Sequence, residues 1–309
     1  MKQRLNIPRK LFLFGALIAV FSISACKKDN NVKTDNTING IVSTTPDFST
    51  LNSAVIKAGL ASTLESAGTF TVFAPNNAAF TASGITPAVL GSLTPAQAKN
   101  ILLYHTIGAS IMAAQVPAGP NAPVAAANGD TLYVTNNSNG VFVNGIKVTE
   151  ADVKASNGVI HVIGNVLMPP SGNIVQMAQA DTSLSYLVAA VLRANLQGAL
   201  SGSGPFTVFA PTNAAFRAAG FPTIASIQAA DVNTLTSILT YHVIGARVFS
   251  SDLTDGEQAT TLNGEKVTIG LMSGSTVKGM SNVSPSNIIA TNIVATNGVI
   301  HLIDQVLLP

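Results

Sequence analysis

The four histidines are the side chains of this chain best suited to proton transfer or metal binding near neutral pH. His105 and His242 each follow a tyrosine, and His161 and His301 each end a Gly-Val-Ile-His segment. A two-histidine metal site needs carboxylates or water to complete it. Residues 46–170 contain five acidic residues, and none lies three or four positions from a histidine; they are Asp47, Glu65, Asp130, Glu150 and Asp152. The pattern favours histidines bonded inside a fold, with partner contact and metal binding as alternatives.

Common catalytic sequence patterns are missing from the chain. It contains no Gly-x-Ser-x-Gly, no His-Glu-x-x-His and no Gly-x-x-x-x-Gly-Lys-(Ser/Thr). Its many serines leave a hydrolase with a spatial Ser–His pair as one alternative, because such a pair requires no fixed spacing. We predict a protein that is not an enzyme and uses no cofactor.

Composition limits the class of protein further. The 309 residues suggest two domains, and the 47% hydrophobic share can supply their cores. A single cysteine excludes a disulfide within the chain and a cysteine-based zinc cluster. The formal net charge is +2, from 16 basic and 14 acidic residues, and four of the basic residues lie within the first 25. The remainder has 12 basic and 14 acidic residues, a net charge of −2, so we expect no nucleic-acid partner.

The N-terminus has the pattern of a secretory signal. Four basic residues lie within the first ten positions, and an unbroken apolar run follows from Leu11 to Phe21. This run is too short to span a membrane. Ile23-Ser24-Ala25-Cys26 resembles a bacterial lipobox, in which the cysteine is lipidated and becomes the new N-terminus. We predict a signal peptide over 1–25, a lipid on Cys26 and a flexible polar tether over 26–45. An ordinary cleaved signal with an incidental thiol is the alternative.

The rest of the chain consists of one unit that occurs twice. Phe70–Phe80 recurs as Phe206–Phe216 with one difference, and Tyr104–Ala109 recurs as Tyr241–Ala246 with one difference. The segment that begins at Asn157 also recurs, at Asn297. The offsets of 136, 137 and 140 residues differ little, so each unit is long enough to be a domain with its own core. We place the domains at 46–170 and 181–309, with a linker over 171–180.

Each unit predicts helices first and strands later. Apolar spacing indicates a helix that ends at Gly59, and Ser183 is a candidate N-cap of its counterpart. Alternating β-formers predict a strand over 70–74, and Thr94 followed by proline predicts the start of another helix. Short strands follow, with two-residue hairpin turns at Asn144-Gly145 and Asn263-Gly264. The expected fold class is α+β.

The three repeated motifs, in this order, resemble those of the fasciclin (FAS1) domain family. The resemblance covers both units and implies two tandem domains, each a β-wedge of about seven strands with packed helices. The family is associated with cell adhesion and extracellular matrix contact, and its bacterial members are typically secreted or surface-attached. Four side chains are implied as possible partner contacts: Tyr104, His105, Tyr241 and His242. The alternative for each pair is a tyrosine in the core beside a locally bonded histidine. The chain has no Arg-Gly-Asp, so integrin binding is not implied.

These patterns lead to one main functional hypothesis and two alternatives. The main hypothesis is a non-catalytic, exported protein, lipid-anchored to the cell envelope at the outer membrane or cell surface. Its two modules would contact a surface or matrix protein or a polysaccharide, and two weak contacts would gain avidity. The first alternative is an envelope protein that binds a small molecule or glycan in a cleft, and the second is the hydrolase.

Overall fold

Two domains of the same architecture follow one another in the computed structural model, which describes residues 35–272 and 274–309. Each domain has helices packed against a seven-stranded sheet, which confirms the predicted α+β class. The predicted signal peptide, Cys26 and the first part of the predicted tether lie outside the described residues. Within the described ranges, every helix falls short of the length and apolarity that a membrane span requires.

Within the described residues, the first domain has six α-helices, all in its N-terminal half, with one strand between the third and the fourth. They are α1 (Ile38–Thr44), α2 (Ser49–Ala58), α3 (Ala61–Glu65), α4 (Asn77–Ala82), α5 (Pro87–Ser92) and α6 (Pro95–Tyr104). Helix α2 ends where predicted, at Gly59, whose left-handed backbone (φ 65°) suits glycine. Helix α6 starts at the predicted Thr94 cap, which forms a capping box with Gln97.

Strands make up most of the remainder of the first domain. They are β1 (Phe70–Pro75), β2 (Thr106–Ile107), β3 (Gly119–Ala125), β4 (Thr131–Asn137), β5 (Gly140–Val143), β6 (Ile146–Ala155) and β7 (Gly158–Ile163). Their order across the sheet is β2-β1-β7-β6-β5-β4-β3. The two repeated strands, β1 and β7, form the parallel pair, with Phe70 opposite Gly158 and Pro75 opposite Ile163. The repeated sequence is therefore the centre of the domain.

The second domain repeats this arrangement. Its helices are α7 (Ile174–Ala180), α8 (Ser185–Arg193), α9 (Gln197–Leu200), α10 (Asn213–Ala218), α11 (Ile224–Gln228) and α12 (Val232–Tyr241). Its strands are β8 (Phe206–Pro211), β9 (Val243–Ile244), β10 (Gln258–Thr260), β11 (Lys266–Gly270), β12 (Thr276–Lys278), β13 (Ser286–Ala295) and β14 (Gly298–Ile303). The strand order matches that of the first domain, with β8 and β14 as the parallel pair.

Helices α1 and α7 correct two predictions. The predicted tether (26–45) contains α1, and the predicted linker (171–180) contains α7. Both helices are part of their domain, because Ile38 and Ile174 are buried in its core. A repeated asparagine holds each helix: Asn157 Oδ1 accepts from Ile38 N at 2.9 Å, and Asn297 Oδ1 accepts from Ile174 N at 2.9 Å. Helix α1 has the sequence INGIVST, in which Gly40 and several β-branched residues have low helix propensity. The helix was therefore not predicted in a segment rich in Asn and Thr.

Two further local predictions are wrong. Asp181, rather than Ser183, caps the short turn before α8, because its side chain accepts from Ser183 N at 2.8 Å. The Asn144-Gly145 hairpin turn is confirmed, with φ of 48° and 74°, between the paired residues at 143 and 146. Asn263-Gly264 instead lies in a five-residue loop between β10 and β11. It corresponds to the Asn-Gly dipeptide at 128–129, so the two predicted turns are not equivalent.

Candidate functional site

The Tyr104-His105 pair lies at the end of α6 and is buried. The His105 ring bridges two backbone groups: Nδ1 donates to Ile101 O at 2.8 Å, and Nε2 accepts from Leu167 N at 2.9 Å. The Tyr104 hydroxyl donates to Thr131 O at 3.2 Å and accepts from an asparagine amide at 2.9 Å. The pair therefore ties the end of a helix to the sheet and to the C-terminal arm of the domain.

The second domain repeats these contacts almost atom for atom. His242 Nδ1 donates to Ile238 O at 2.8 Å, and His242 Nε2 accepts from Leu307 N at 2.9 Å. The Tyr241 hydroxyl donates to Lys266 O at 2.6 Å. The four side chains of the two pairs expose between 0% and 1% of their surface. The expectation of direct partner contact through Tyr104, His105, Tyr241 and His242 is thus corrected, because a partner on the folded surface would not touch them.

The other two histidines each stabilise a β-bulge. The register of β6 against β7 shifts between Glu150 and Val153, where Asp152 has a positive φ of 62°. A bulge leaves backbone groups without ladder partners. Here His161 Nδ1 accepts from Asp152 N at 3.2 Å, while His161 Nε2 donates to Ile111 O at 2.8 Å. The Asp152 carboxylate lies 4.0 Å from the same Nδ1.

His301 occupies the equivalent position in the second domain. Its Nδ1 accepts from Asn292 N at 3.4 Å, and its Nε2 donates to Val248 O at 3.0 Å. Asn292 stands where the first domain has Asp152, with nearly the same positive φ of 61°. The backbone contacts assign opposite tautomers to the two kinds of histidine, with the proton on Nδ1 in the Tyr-His pairs and on Nε2 at the bulges.

These environments determine the chemistry that the histidines can perform. Burial lowers the pKa of His105 and of His242 to about 4, against a partial opposing effect of the hydrogen bond to the helix carbonyl. Burial also lowers the pKa of His301. Burial raises the pKa of Tyr104 to about 12. Every ring nitrogen described above bonds to a backbone group, so none is directed at a serine hydroxyl. Residues 35–272 and 274–309 hold no group of three His, Cys, Asp or Glu side chains placed to bind a metal.

The two domains contact each other through one aromatic cluster. The guanidinium of Arg247 lies over the ring of Tyr133, 4.2 Å from its centroid, and donates to Gly298 O at 2.7 Å. Phe249 is fully buried, with its ring 6.0 Å from that of Tyr133. Val294 and Val299 complete the apolar contact around Tyr133. The first domain thus contributes one aromatic side chain, half-buried, that packs against the second domain.

Polar contacts surround this cluster. Asn121 Nδ2 donates to Arg247 O at 2.9 Å and to the Asp252 carboxylate at 3.0 Å. Thr135 donates to the same carboxylate at 3.3 Å, and Asn137 Nδ2 donates to Ser251 O at 3.1 Å. The strands β3 and β4 therefore present their side chains directly to the segment that follows β9. Both domains belong to one unit, Asp35–Pro309.

Sequence reasoning missed this interface, although the repeat carried a signal. Immediately after the shared Gly-Ala that ends the Tyr-His motif, Arg247 stands where the first domain has Ser110. Two residues later, Phe249 stands where the first domain has Met112. Such differences beside an otherwise shared motif mark positions that serve only one of the two domains.

A comparison with protein-family models identifies a Fasciclin domain twice in this chain, over residues 46–169 and 182–309. Human (Homo sapiens) periostin is 32% identical over 249 residues, which cover 80% of this chain and 29% of periostin. The transforming growth factor-beta-induced protein ig-h3 of Sus scrofa is 28% identical over 251 residues, which cover 80% of this chain and 35% of ig-h3. The chain thus spans about a third of the length of these two relatives.

A shorter relative is matched over most of its length. Protein sll1483 of Synechocystis sp. is 40% identical over 149 residues, which cover 48% of this chain and 79% of that protein. Among solved structures, a FAS1 domain pair from the insect cell adhesion molecule Fasciclin I covers 85% of this chain and 97% of its own. The sequence identity to that pair is 20% and the TM-score is 0.43.

Proposed function

Because this chain belongs to the fasciclin domain family, we propose that it is a non-catalytic protein of the cell envelope that mediates adhesion or contact with extracellular matrix. The observation that carries this proposal is the family match over both domains, residues 46–169 and 182–309. Adhesion is the role with which the family is associated, and this chain spans only part of its longer relatives. The proposed partner is a surface or matrix protein or a polysaccharide.

The state of the histidines supports a role without catalysis. A general base must reach a substrate and exchange a proton with it. His105 and His242 are buried, remain neutral at pH 7 and use both ring nitrogens in backbone contacts. His161 and His301 are equally buried, each against a bulge. Binding by the folded surface is the function that remains compatible with these four side chains.

The interface between the domains supports a composite binding surface. The domains pack through Tyr133, Arg247 and Phe249, so they present their outer faces in a fixed relation. When a polymeric partner offers two sites at the matching distance, both domains can bind it at once, and the affinity of the pair then exceeds that of either domain alone. Loss of the interface between the domains would reduce this gain in affinity without removing the contact that each domain makes with the partner.

Capture of partners on cells tests the adhesion proposal. The chain with Cys26→Ser would be purified and offered to live cells beside the double variant Asn121→Ala/Arg247→Ala, which removes interface contacts. Ser110→Ala, at the position equivalent to Arg247, is the matched control. We expect a specific surface polymer to be captured by the parent and the control, and less of it by the double variant. Failure of the folded parent to capture any macromolecule would contradict adhesion.

We also propose that a lipid on Cys26 anchors the protein, since this cysteine ends the lipobox-like segment. Two acyl chains give stable anchoring, whereas one gives only reversible membrane binding. Cells that produce the chain would be labelled with an alkyne analogue of palmitate and fractionated. We expect label in the membrane fraction for the parent and neither label nor membrane retention for Cys26→Ser. An unlabelled parent would leave the ordinary cleaved signal as the explanation.

A further inference from the structure

A cleft of about 450 Å³ lies between the domains, beside the aromatic cluster. Its walls are the C-terminal end of α4, the turn between β5 and β6, the arm that follows β7, and the bulge of β13. Its volume falls within the range of small-molecule sites, which often form at domain boundaries. The side chains used below are Ser83, Lys147, Asn165, Met168, Thr291 and Asn292.

The walls combine apolar surface with polar groups that retain bonding capacity. Seven of the sixteen lining residues are polar, and they come from both domains. Asn165 uses its amide nitrogen in a long bond of 3.4 Å to Ser83 Oγ. Within the described chain, Asn165 Oδ1 and the Thr291 hydroxyl have no hydrogen-bond partner, and both remain available to a ligand. Amides and hydroxyls both donate and accept, which suits vicinal hydroxyl groups.

The charge of the cleft is one-sided. Lys147 is the only ionisable residue among the sixteen that line it, and no carboxylate is present there. Lys147 is exposed, and the described residues place no carboxylate within ion-pair distance of its ammonium group. A lysine ammonium is a compact charge with three donors, able to pair with a carboxylate. Met168 and Ile293 supply apolar surface for the C–H face of a sugar ring.

We propose that this interdomain cleft binds a saccharide that carries a carboxylate group. The Lys147 ammonium forms an ion pair with this carboxylate, and the amide and hydroxyl side chains of the cleft form hydrogen bonds with the hydroxyl groups of the sugar ring. The proposal is independent of adhesion, because a free saccharide can occupy the cleft whether or not the protein holds cells to a matrix. Ordered docking of such a ligand needs both domains, since Asn165 belongs to the first and Thr291 to the second.

The local backbone favours a saccharide over an acidic peptide. Peptides are commonly recognised by adding a strand to a free, regular sheet edge. The two strands that reach the cleft present a hairpin turn at Asn144-Gly145 and a bulge at Asn292 instead. Asn292 Oδ1 is also occupied, because it accepts from Ser250 N at 2.8 Å. Side-chain recognition of a compact, hydroxyl-rich ligand is the geometry that remains.

Titration with a defined disaccharide tests the proposal. Digalacturonate would be added to the isotope-labelled chain with Cys26→Ser, and amide chemical shifts would be followed. We expect saturable shifts at residues 144–147, 165–169 and 291–294, weakened by added salt. Lys147→Gln should weaken binding about two- to fivefold, the range of one exposed ion pair. Lys154→Gln, on the same strand but outside the cleft, should leave binding unchanged.

Each contrary result overturns a stated part of the proposal. Absence of saturable shifts, or shifts confined to other surfaces, would remove the cleft as the site. Equal binding of the uncharged galactose disaccharide would refute pairing of Lys147 with the carboxylate. Equal weakening by Lys147→Gln and Lys154→Gln would indicate non-specific charge attraction. Stronger shifts in the cleft with triglutamate would assign the site to acidic peptides. None of these results depends on whether the protein captures partners on cells.

Discussion

Mild acid should destabilise the folded protein through His105 and His242. Each ring is buried, donates from Nδ1 to a helix carbonyl and accepts at Nε2 from a backbone N–H. Protonation would put a second N–H at Nε2, directly against the N–H of Leu167 or Leu307, and would leave a buried charge without a partner. Burial accordingly lowers the pKa of both histidines to about 4.

The sign and size of the effect follow from the difference between the folded and unfolded pKa values. Well above the ordinary histidine pKa of 6.5, both histidines are neutral in the folded and in the unfolded state, so they add no pH dependence there. As the pH falls below 6.5, the two histidines bind protons in the unfolded chain but not in the folded chain. The free energy of unfolding therefore falls until the pH reaches about 4. A pKa difference of this size corresponds to about 3 kcal/mol for each histidine. Between pH 6 and 5, the two together should lower the free energy of unfolding by about 2–3 kcal/mol per pH unit.

Urea unfolding followed by circular dichroism between pH 7.5 and 5 measures this slope. Other titrating groups are common to all variants, so the comparison between variants isolates each histidine. His105→Gln and His242→Gln should each lower stability at pH 7.5 and should each reduce the slope by about 1 kcal/mol per pH unit. Unchanged slopes in both variants would refute the reasoning. So would imidazole signals of the folded parent showing that either ring protonates near pH 6.5.

Three further predictions concern stability. Arg247→Ala should destabilise the protein by about 2–4 kcal/mol in urea unfolding, because it removes the Tyr133 contact and the bond to Gly298 O. Arg217→Ala, which removes an exposed cation–π pair, should lower stability by no more than about 1 kcal/mol, and equal effects of the two substitutions would contradict this. Asn157→Ala should cost about 2–4 kcal/mol in the same assay, since two buried backbone groups, Ile38 N and Leu64 O, and the part-buried Ser66 O lose a partner. A loss below about 1 kcal/mol would contradict it. Tyr104→Phe should lower stability by about 1–2 kcal/mol and leave partner capture unchanged; selective loss of capture at an unchanged melting temperature would restore a direct binding role.

Much of the fold could be predicted from local sequence. The parallel pair of β1 and β7 coincides with two repeated segments, because central strands carry the β-formers of both faces. The one difference in the first motif, Asn76 against Thr212, exchanges one capping residue for another, because each side chain accepts from the backbone N–H three residues later. Helix capping and strand formation depend on residues that are neighbours in the chain, so a single sequence indicates them directly.

The elements that sequence reasoning missed depend on distant contacts. Helix α1 has only seven residues, so its stability comes from packing rather than propensity. Its partner Asn157 lies more than a hundred residues away, with Oδ1 holding the helix start and Nδ2 donating to Leu64 O and Ser66 O. The sequence shows this asparagine as a repeated residue, but only the three-dimensional structure shows that it bridges two distant segments. The partners of the histidines are also backbone groups, which no side-chain motif can reveal.

The two domains differ at the residues that form the interface between them. These differences explain why the same interface does not form again with a further copy of either domain. Tyr104 and Tyr241 bond to the carbonyls of Thr131 and Lys266, so Tyr133 in the first domain is equivalent to Thr268 in the second. The second domain therefore has no aromatic ring at this position that could pack against the Arg247 of another copy of the chain.

The first domain likewise lacks the residues through which the second domain forms the interface. The first domain has Ser110, Met112 and Gln115 where the second has Arg247, Phe249 and Asp252. It therefore has neither the guanidinium nor the carboxylate to receive another copy of the first domain's β3–β4 face. The shared motifs keep both domains folded, while the differing residues restrict docking to one order and one partner. The contact that defines the cleft is thus specific to this pair, and a head-to-tail chain of copies would have to form through other residues.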